Sequence, residues 1–91
     1  MGKAEGRVEK YLDKHVRDLG GFTRKYTSPG RRGVPDRIVF LSGVHFVETK
    51  TEDGYLSKLQ VNEIRRMREA GADVAVLASR EDVDTWLKHI V

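Results

Sequence analysis

Apolar residues recur at three-to-four spacing near the start of the chain, at Val8, Leu12, Val16 and Leu19, with Tyr11 and His15 adjoining. That period predicts an amphipathic helix over 4–19, and Gly20-Gly21 supplies its stop. A short strand follows at 22–26. The segment "SPGRRG" at 28–33 is punctuated by proline and glycine and reads as a loop. Apolar runs at 35–41 and 44–50 flank Ser42-Gly43 and predict a strand pair, and "EDG" at 52–54 closes the second run. Ser57, with Gln60 three residues on, is a capping-box pattern, and Leu56 and Val61 are spaced for a hydrophobic staple. The helix it opens ends at Gly71. "DVAVLAS" (73–79) is short, apolar and flanked by breakers, as a buried strand is. Ser79 then caps a last helix, with Glu81 and Asp82 in its first turn and Val83, Trp86, Leu87 and Ile90 on its inner face. The order α-β-β-β-α-β-α predicts an α/β fold with a mixed central sheet flanked by helices, in one domain over 1–91.

The strand pair carries charge at its ends. Asp36 opens it, and Glu48 and Lys50 close it. Two apart on a strand, Glu48 and Lys50 leave the same face about 6.6 Å apart. If Asp36 shares that face, two carboxylates converge beside one ammonium. The bland alternative is a strand-end ion pair, Lys50 with either acid. Register decides whether the face is shared. All three positions are even-numbered, and facing residues on one face of an antiparallel pair have numbers that sum to an even value. A two-residue Ser42-Gly43 turn would pair Leu41 with Val44 and put Asp36 behind the sheet. A longer connection or a bulge restores the shared face. The expectation is therefore Asp36 opposite or diagonal to Lys50, with Gly43 inside a turn longer than two residues or bulged.

Composition narrows the chemistry. With 38% apolar and 34% charged residues the chain suits a small folded domain rather than a disordered one. No run approaches the roughly 18 apolar residues of a membrane span, and no signal peptide is visible, so no membrane partner and a cytoplasmic setting are expected. Cysteine is absent, which leaves oxygen and imidazole as the only metal donors. His15, His45 and His89 do not have a metal-ligand spacing, and Trp86 at helical spacing belongs to a core or an interface. The net charge of +3 is modest, but its distribution is uneven. Between Asp18 and Asp36 there is no acid, while Arg24, Lys25, Arg31 and Arg32 are present and Arg37 follows. These five read either as a solvated basic surface or as contacts to nucleic-acid phosphates. A carboxylate pair on oxygen-only chemistry suits Mg²⁺ or Mn²⁺.

"GVPD", then "FVETK" and "GYLSKLQ", resemble the VRR-NUC branch of the PD-(D/E)XK nuclease superfamily, over roughly residues 5 to 78. The resemblance implies a restriction-endonuclease-like core and a metal-dependent nuclease acting on DNA. It implies that Asp36 and Glu48 bind metal together with the backbone carbonyl of Thr49. Lys50 falls on the motif lysine. Glu5 on the first helix would complete the acidic cluster, with Glu9 as the fallback. Gln60 matches the family's glutamine after the ExK strand, though its capping-box position offers a purely structural role as well. Stand-alone domains of this size in the family are similar to Holliday-junction resolvases. That implies branched DNA as substrate and a homodimer, formed through the last helix (Trp86, Ile90) or around Tyr55-Leu56. A minimal nuclease of this kind fits a phage, acting in the host cytoplasm. The alternatives are a less selective nickase or flap nuclease, and a non-catalytic DNA-binding module.

Overall fold

A computed structural model describes residues 3–51 and 53–91, with the backbone alone for residues 3–5. Seven elements follow one another: α1 (Lys3–Asp18), β1 (Phe22–Lys25), β2 (Arg37–Phe40), β3 (Val44–Thr49), α2 (Lys58–Glu69), β4 (Val74–Leu77) and α3 (Arg80–Ile90). The four strands form one sheet in the order β1-β2-β3-β4. β2 pairs antiparallel with β1 on one side and β3 on the other, and β4 joins β3 in parallel. The sheet is mixed, as expected. A parallel neighbour needs a crossover, and α2 provides it between β3 and β4.

Side chains alternate across the strands, and the two faces have different fates. Val39, Val47 and Leu77 face α1 and α3, closing a core with Val8, Leu12, Val16, Val83 and Leu87. Val39, Val47, Leu12, Val16 and Val83 are wholly inaccessible. Trp86 and Ile90 pack against this core from α3. The Tyr11 hydroxyl ties α1 to α3 by donating to Asp84 at 2.8 Å, a bond that holds the phenol's pKa above its ordinary value. The other face carries Ile38, Phe46, Glu48, Val74 and Val76, and α2 covers it with a single buried residue, Ile64.

The ends of the elements follow from local chemistry. Ser57 caps α2 in a reciprocal capping box: the Gln60 amide N–H donates to its hydroxyl, and its own N–H donates to the Gln60 side chain. Ser79 caps α3 by accepting from the Asp82 N–H. Leu19 differs from expectation. It lies beyond the last residue of α1 and is 50% exposed, because the chain turns into Gly20-Gly21 before that position can rotate onto the core.

Candidate active site

The connection between β2 and β3 settles which face Asp36 takes. Phe40 pairs with Val44, leaving Leu41, Ser42 and Gly43 as a three-residue turn. The Leu41 N–H donates to the Gly43 carbonyl at 3.0 Å, with Ser42 at φ 51° and Gly43 at φ 110°. Such left-handed geometry is what a three-residue hairpin demands and what glycine tolerates. The ladder runs through Ile38–Phe46 to Arg37–Val47. One step further, Asp36 stands across from Glu48, on its face and diagonal to Lys50. β2 itself starts at Arg37 rather than 35, but the Asp36 carbonyl still accepts from the Tyr26 N–H at 2.8 Å, so the backbone is held in line.

Glu48 lies deep on this face, with its side chain 10% exposed and the Lys50 ammonium 3.8 Å from Oε2. A carboxylate removed from water must be compensated, and here an ammonium and an amide help to do so. Gln60 Nε2 donates to Glu48 Oε2 at 3.1 Å while Oε1 of the same amide accepts from the Ser57 N–H at 2.9 Å. One side chain therefore both completes the capping box and hydrogen-bonds Glu48. Its carbonyl end starts α2 and its amino end fixes Glu48. Thr49 points its side chain into the opposite, buried face, so only its main chain can belong to the site.

Gly33, which opens the "GVPD" segment, has φ +84°, and a Cβ there would fall 2.5 Å from the Leu59 carbonyl oxygen and 2.9 Å from the Gln60 nitrogen. The loop can rest on the first turn of α2 only without a side chain at this position. That contact sets the approach of the chain to Asp36. Arg31, four residues earlier than Pro35, donates from Nε at 3.0 Å and from Nη2 at 2.8 Å to Glu63 of α2. Arg32 is exposed. The Arg31–Glu63 pair spans 32 residues and had no local signal in the sequence.

Other candidates are placed elsewhere. Arg24 and Lys25 are exposed on β1, with the Arg24 guanidinium 4.7 Å over the Phe22 ring. Arg37 stands directly across from Lys25 but is not exposed as Lys25 is. It turns to the α1 face, 13% exposed, and pairs with Glu9 at 3.0 Å and Asp13 at 3.7 Å. Glu9, the fallback acid, is thus engaged behind the sheet. The Glu5 side chain lies outside the described residues. His45 has both ring nitrogens occupied, by Asp73 at 2.5 Å and the Leu41 carbonyl at 2.9 Å.

Among the described residues no group of three or more histidine, cysteine, aspartate and glutamate side chains is gathered. The donors that are present suit a hard divalent cation all the same. By the strand register positions 36 and 48 share a face, and carboxylates, main-chain carbonyls and water are ordinary ligands of such a cation.

A mixed four-stranded sheet with α1 and α3 on one face and α2 on the other, bearing a PD…ExK acid pair at the β2 and β3 ends, defines a nuclease of the PD-(D/E)XK class. No family model matches the chain. A curated relative from Acyrthosiphon pisum secondary endosymbiont phage 1, named "Putative nuclease p44", is 42% identical over 79 residues, 85% of each chain. A solved structure described as "VRR_NUC domain" superposes with a TM-score of 0.89 at 38% identity, over 99% of this chain and 100% of the other. A second, "VRR_NUC domain protein", reaches 0.76 at 14% identity over 100% of this chain and 90% of that one, and shares the fold. The protein belongs to the VRR-NUC family of nucleases.

Proposed function

We propose that the protein is a Mg²⁺- or Mn²⁺-dependent endodeoxyribonuclease that selects branched DNA and cuts it as a Holliday-junction resolvase does. The observation that carries this reading is the Glu48 carboxylate, held by Gln60 and 3.8 Å from the Lys50 ammonium on the face that Asp36 shares. Asp36, Glu48, the Thr49 carbonyl and Glu5 would hold the cation. When bound, it supplies charge stabilisation for the phosphoryl transition state and acidifies a water. Lys50 orients the attacking water and offsets charge on the phosphate. Gln60 keeps Glu48 in one rotamer, so no reorganisation is needed at the moment of reaction. Water adds to phosphorus and gives up a proton to solvent, the P–O bond to the sugar oxygen of the leaving strand breaks, and that oxygen takes a proton from solvent.

Resolution of a four-way junction needs two coordinated cuts, and the proposed acid pair occurs once per chain, which supports a homodimer. Trp86 and Ile90 pack on the core, whereas Tyr55 is 90% and Val61 46% exposed. A groove of about 380 Å³ lies on the β4 side of α2, with Leu56, Val61, Ile64 and Val76 as its apolar lining and Arg65, Arg68 and Glu69 around them. This supports the Tyr55-Leu56 side as the dimer face.

The test incubates the protein with labelled four-way junction, flap and linear duplex, with Mn²⁺ or with EDTA. Paired symmetric cuts in the junction alone, lost in EDTA, are expected. Glu48→Gln should lower the rate roughly 10²–10³-fold, the size of a lost electrostatic contribution at a reacting centre. Cutting of flaps and duplex would point to a less selective nickase. Binding without cutting, unchanged in Lys50→Ala, would remove the enzyme reading.

A further inference from the structure

The loop side of α2 carries a feature that neither the acid pair nor the family motif uses. A groove of about 620 Å³ runs between the 28–33 loop and α2, and Arg31, Arg32, Arg65 and Arg66 line it. Four guanidiniums meet one carboxylate there, that of Glu63, and Arg31 already occupies it in a two-pronged contact. The side chains of Arg32 and Arg66 have no hydrogen-bond or ion-pair partner among the described residues, and that of Arg65 reaches only the Asn62 amide oxygen, at 3.2 Å. Like charges gathered in a concave surface raise its potential and concentrate an anionic partner. Guanidinium forks match phosphate oxygens in geometry.

The groove is also in the right place. Its loop wall ends at Gly33, which rests on Leu59 and the Gln60 nitrogen, and Gln60 holds Glu48. Leu59, which lines the groove, adjoins Gln60, so the groove and Glu48 share the first turn of α2. The opposite flank of α2, toward β4, mixes apolar residues (Leu56, Val61, Ile64, Val76) with Arg65, Arg68 and Glu69, and there Arg68 is taken up by the Val74 carbonyl.

We infer that this groove is the track for the phosphodiester backbone of the bound DNA, with Arg32, Arg65 and Arg66 as phosphate contacts and Arg31 as the positioning residue that Glu63 fixes. The inference rests on the nuclease reading and names which surface delivers the strand to that site.

Fluorescence anisotropy of a labelled four-way junction in EDTA, repeated across a NaCl series, tests it. For Arg65→Ala/Arg66→Ala the dissociation constant should rise about tenfold or more. The slope of log K against log salt should fall by roughly 1 to 2, since each lost phosphate contact removes about 0.9. Arg32→Ala should give about half that change in slope. Lys10→Ala/Lys88→Ala alters the charge equally on the far helices and should move the slope less. Far-UV circular dichroism confirms that all variants are folded. Unchanged affinity and slope in the Arg65/Arg66 variant, or an equal loss in the Lys10/Lys88 control, overturns the inference while leaving a nuclease. A wild-type protein that neither binds nor cuts any DNA overturns the nuclease reading itself.

Discussion

The two faces of the sheet, built from alternate residues of the same strands, serve different ends. Toward α1 and α3, Val39 and Val47 are sealed under Leu12, Val16 and Val83. Even the charge on that side is locked, with Arg37 held between Glu9 and Asp13. Toward α2, one buried isoleucine covers the face, and the space left over holds Glu48, Lys50 and Gln60. A surface packed to the density of the first could admit neither a substrate nor water. A surface as open as the second could not hold the fold. Alternation lets four short strands do both, and it predicts that substitutions sort by parity: those on the closed face cost stability, those on the open face cost rate.

The strongest challenge to that division is Leu12→Ala. Leu12 is wholly buried, so its truncation should cost about 2–5 kcal/mol through lost burial and the cavity left behind. For a domain of this size each kcal/mol lowers Tm by about 4–8 °C, so thermal unfolding should shift by at least about 8 °C. At temperatures where circular dichroism shows the variant folded, the cleavage rate per molecule should equal wild type. A fall in that rate would mean the closed face also shapes the site.

Gly33→Ala attacks the boundary between the two regimes. An alanine there must hold φ +84° and press Cβ against the Leu59 carbonyl. The left-handed backbone alone costs roughly 1–2 kcal/mol, and relief of the clash has to lift the loop from α2. Since Asp36 lies three residues on, the rate should drop by up to about 10²-fold, the penalty for displacing a reacting group by an ångström. Lowered Tm with unchanged rate would show that the loop's seat on α2 does not position Asp36.

Much of this arrangement was legible from the residues. Periodicity and caps placed all seven elements because each is marked locally, α2 by Ser57 and Gln60 and the hairpin by its apolar runs. Parity went further, since even-numbered Asp36, Glu48 and Lys50 required an odd turn, and the turn has three residues. The same arithmetic could have separated Arg37, with Lys25 across from it, from Arg24. Arg37 is odd, as Val39 and Val47 are, and so belongs to the closed face. What no local pattern revealed was contact between segments distant in sequence. Arg31 on Glu63, and Arg65 and Arg66 across from the 28–33 loop, depend on where α2 lies over the sheet. Gly33 shows the same limit, because its need for φ > 0 and a missing Cβ arises from Leu59, which is 26 positions away.

Gln60 offers the finest test, because one amide serves both regimes. Gln60→Glu keeps an oxygen able to accept the Ser57 N–H, and glutamate is as good a capping-box residue as glutamine. Its negative charge also favours the N-terminus of α2. Stability should therefore stay within about 0.5 kcal/mol of wild type by thermal or urea unfolding. The other end of the side chain changes sign: a donor 3.1 Å from Glu48 Oε2 becomes a second carboxylate. Two carboxylates so close resist being ionised together, so the rate should fall at neutral pH and recover toward higher pH, moving the acidic limb of the pH–rate profile upward. Gln60→Ala separates the contributions. It keeps the Ser57 cap, which is made to its main-chain N–H, but loses the return bond to the Ser57 N–H, costing about 0.5–1.5 kcal/mol, and loses the donor without adding a charge, so its rate should fall with no such shift of the limb. A Gln60→Glu protein with wild-type rate and profile would make Gln60 a cap alone, and Glu48 would then owe its placement to Lys50 and the strand.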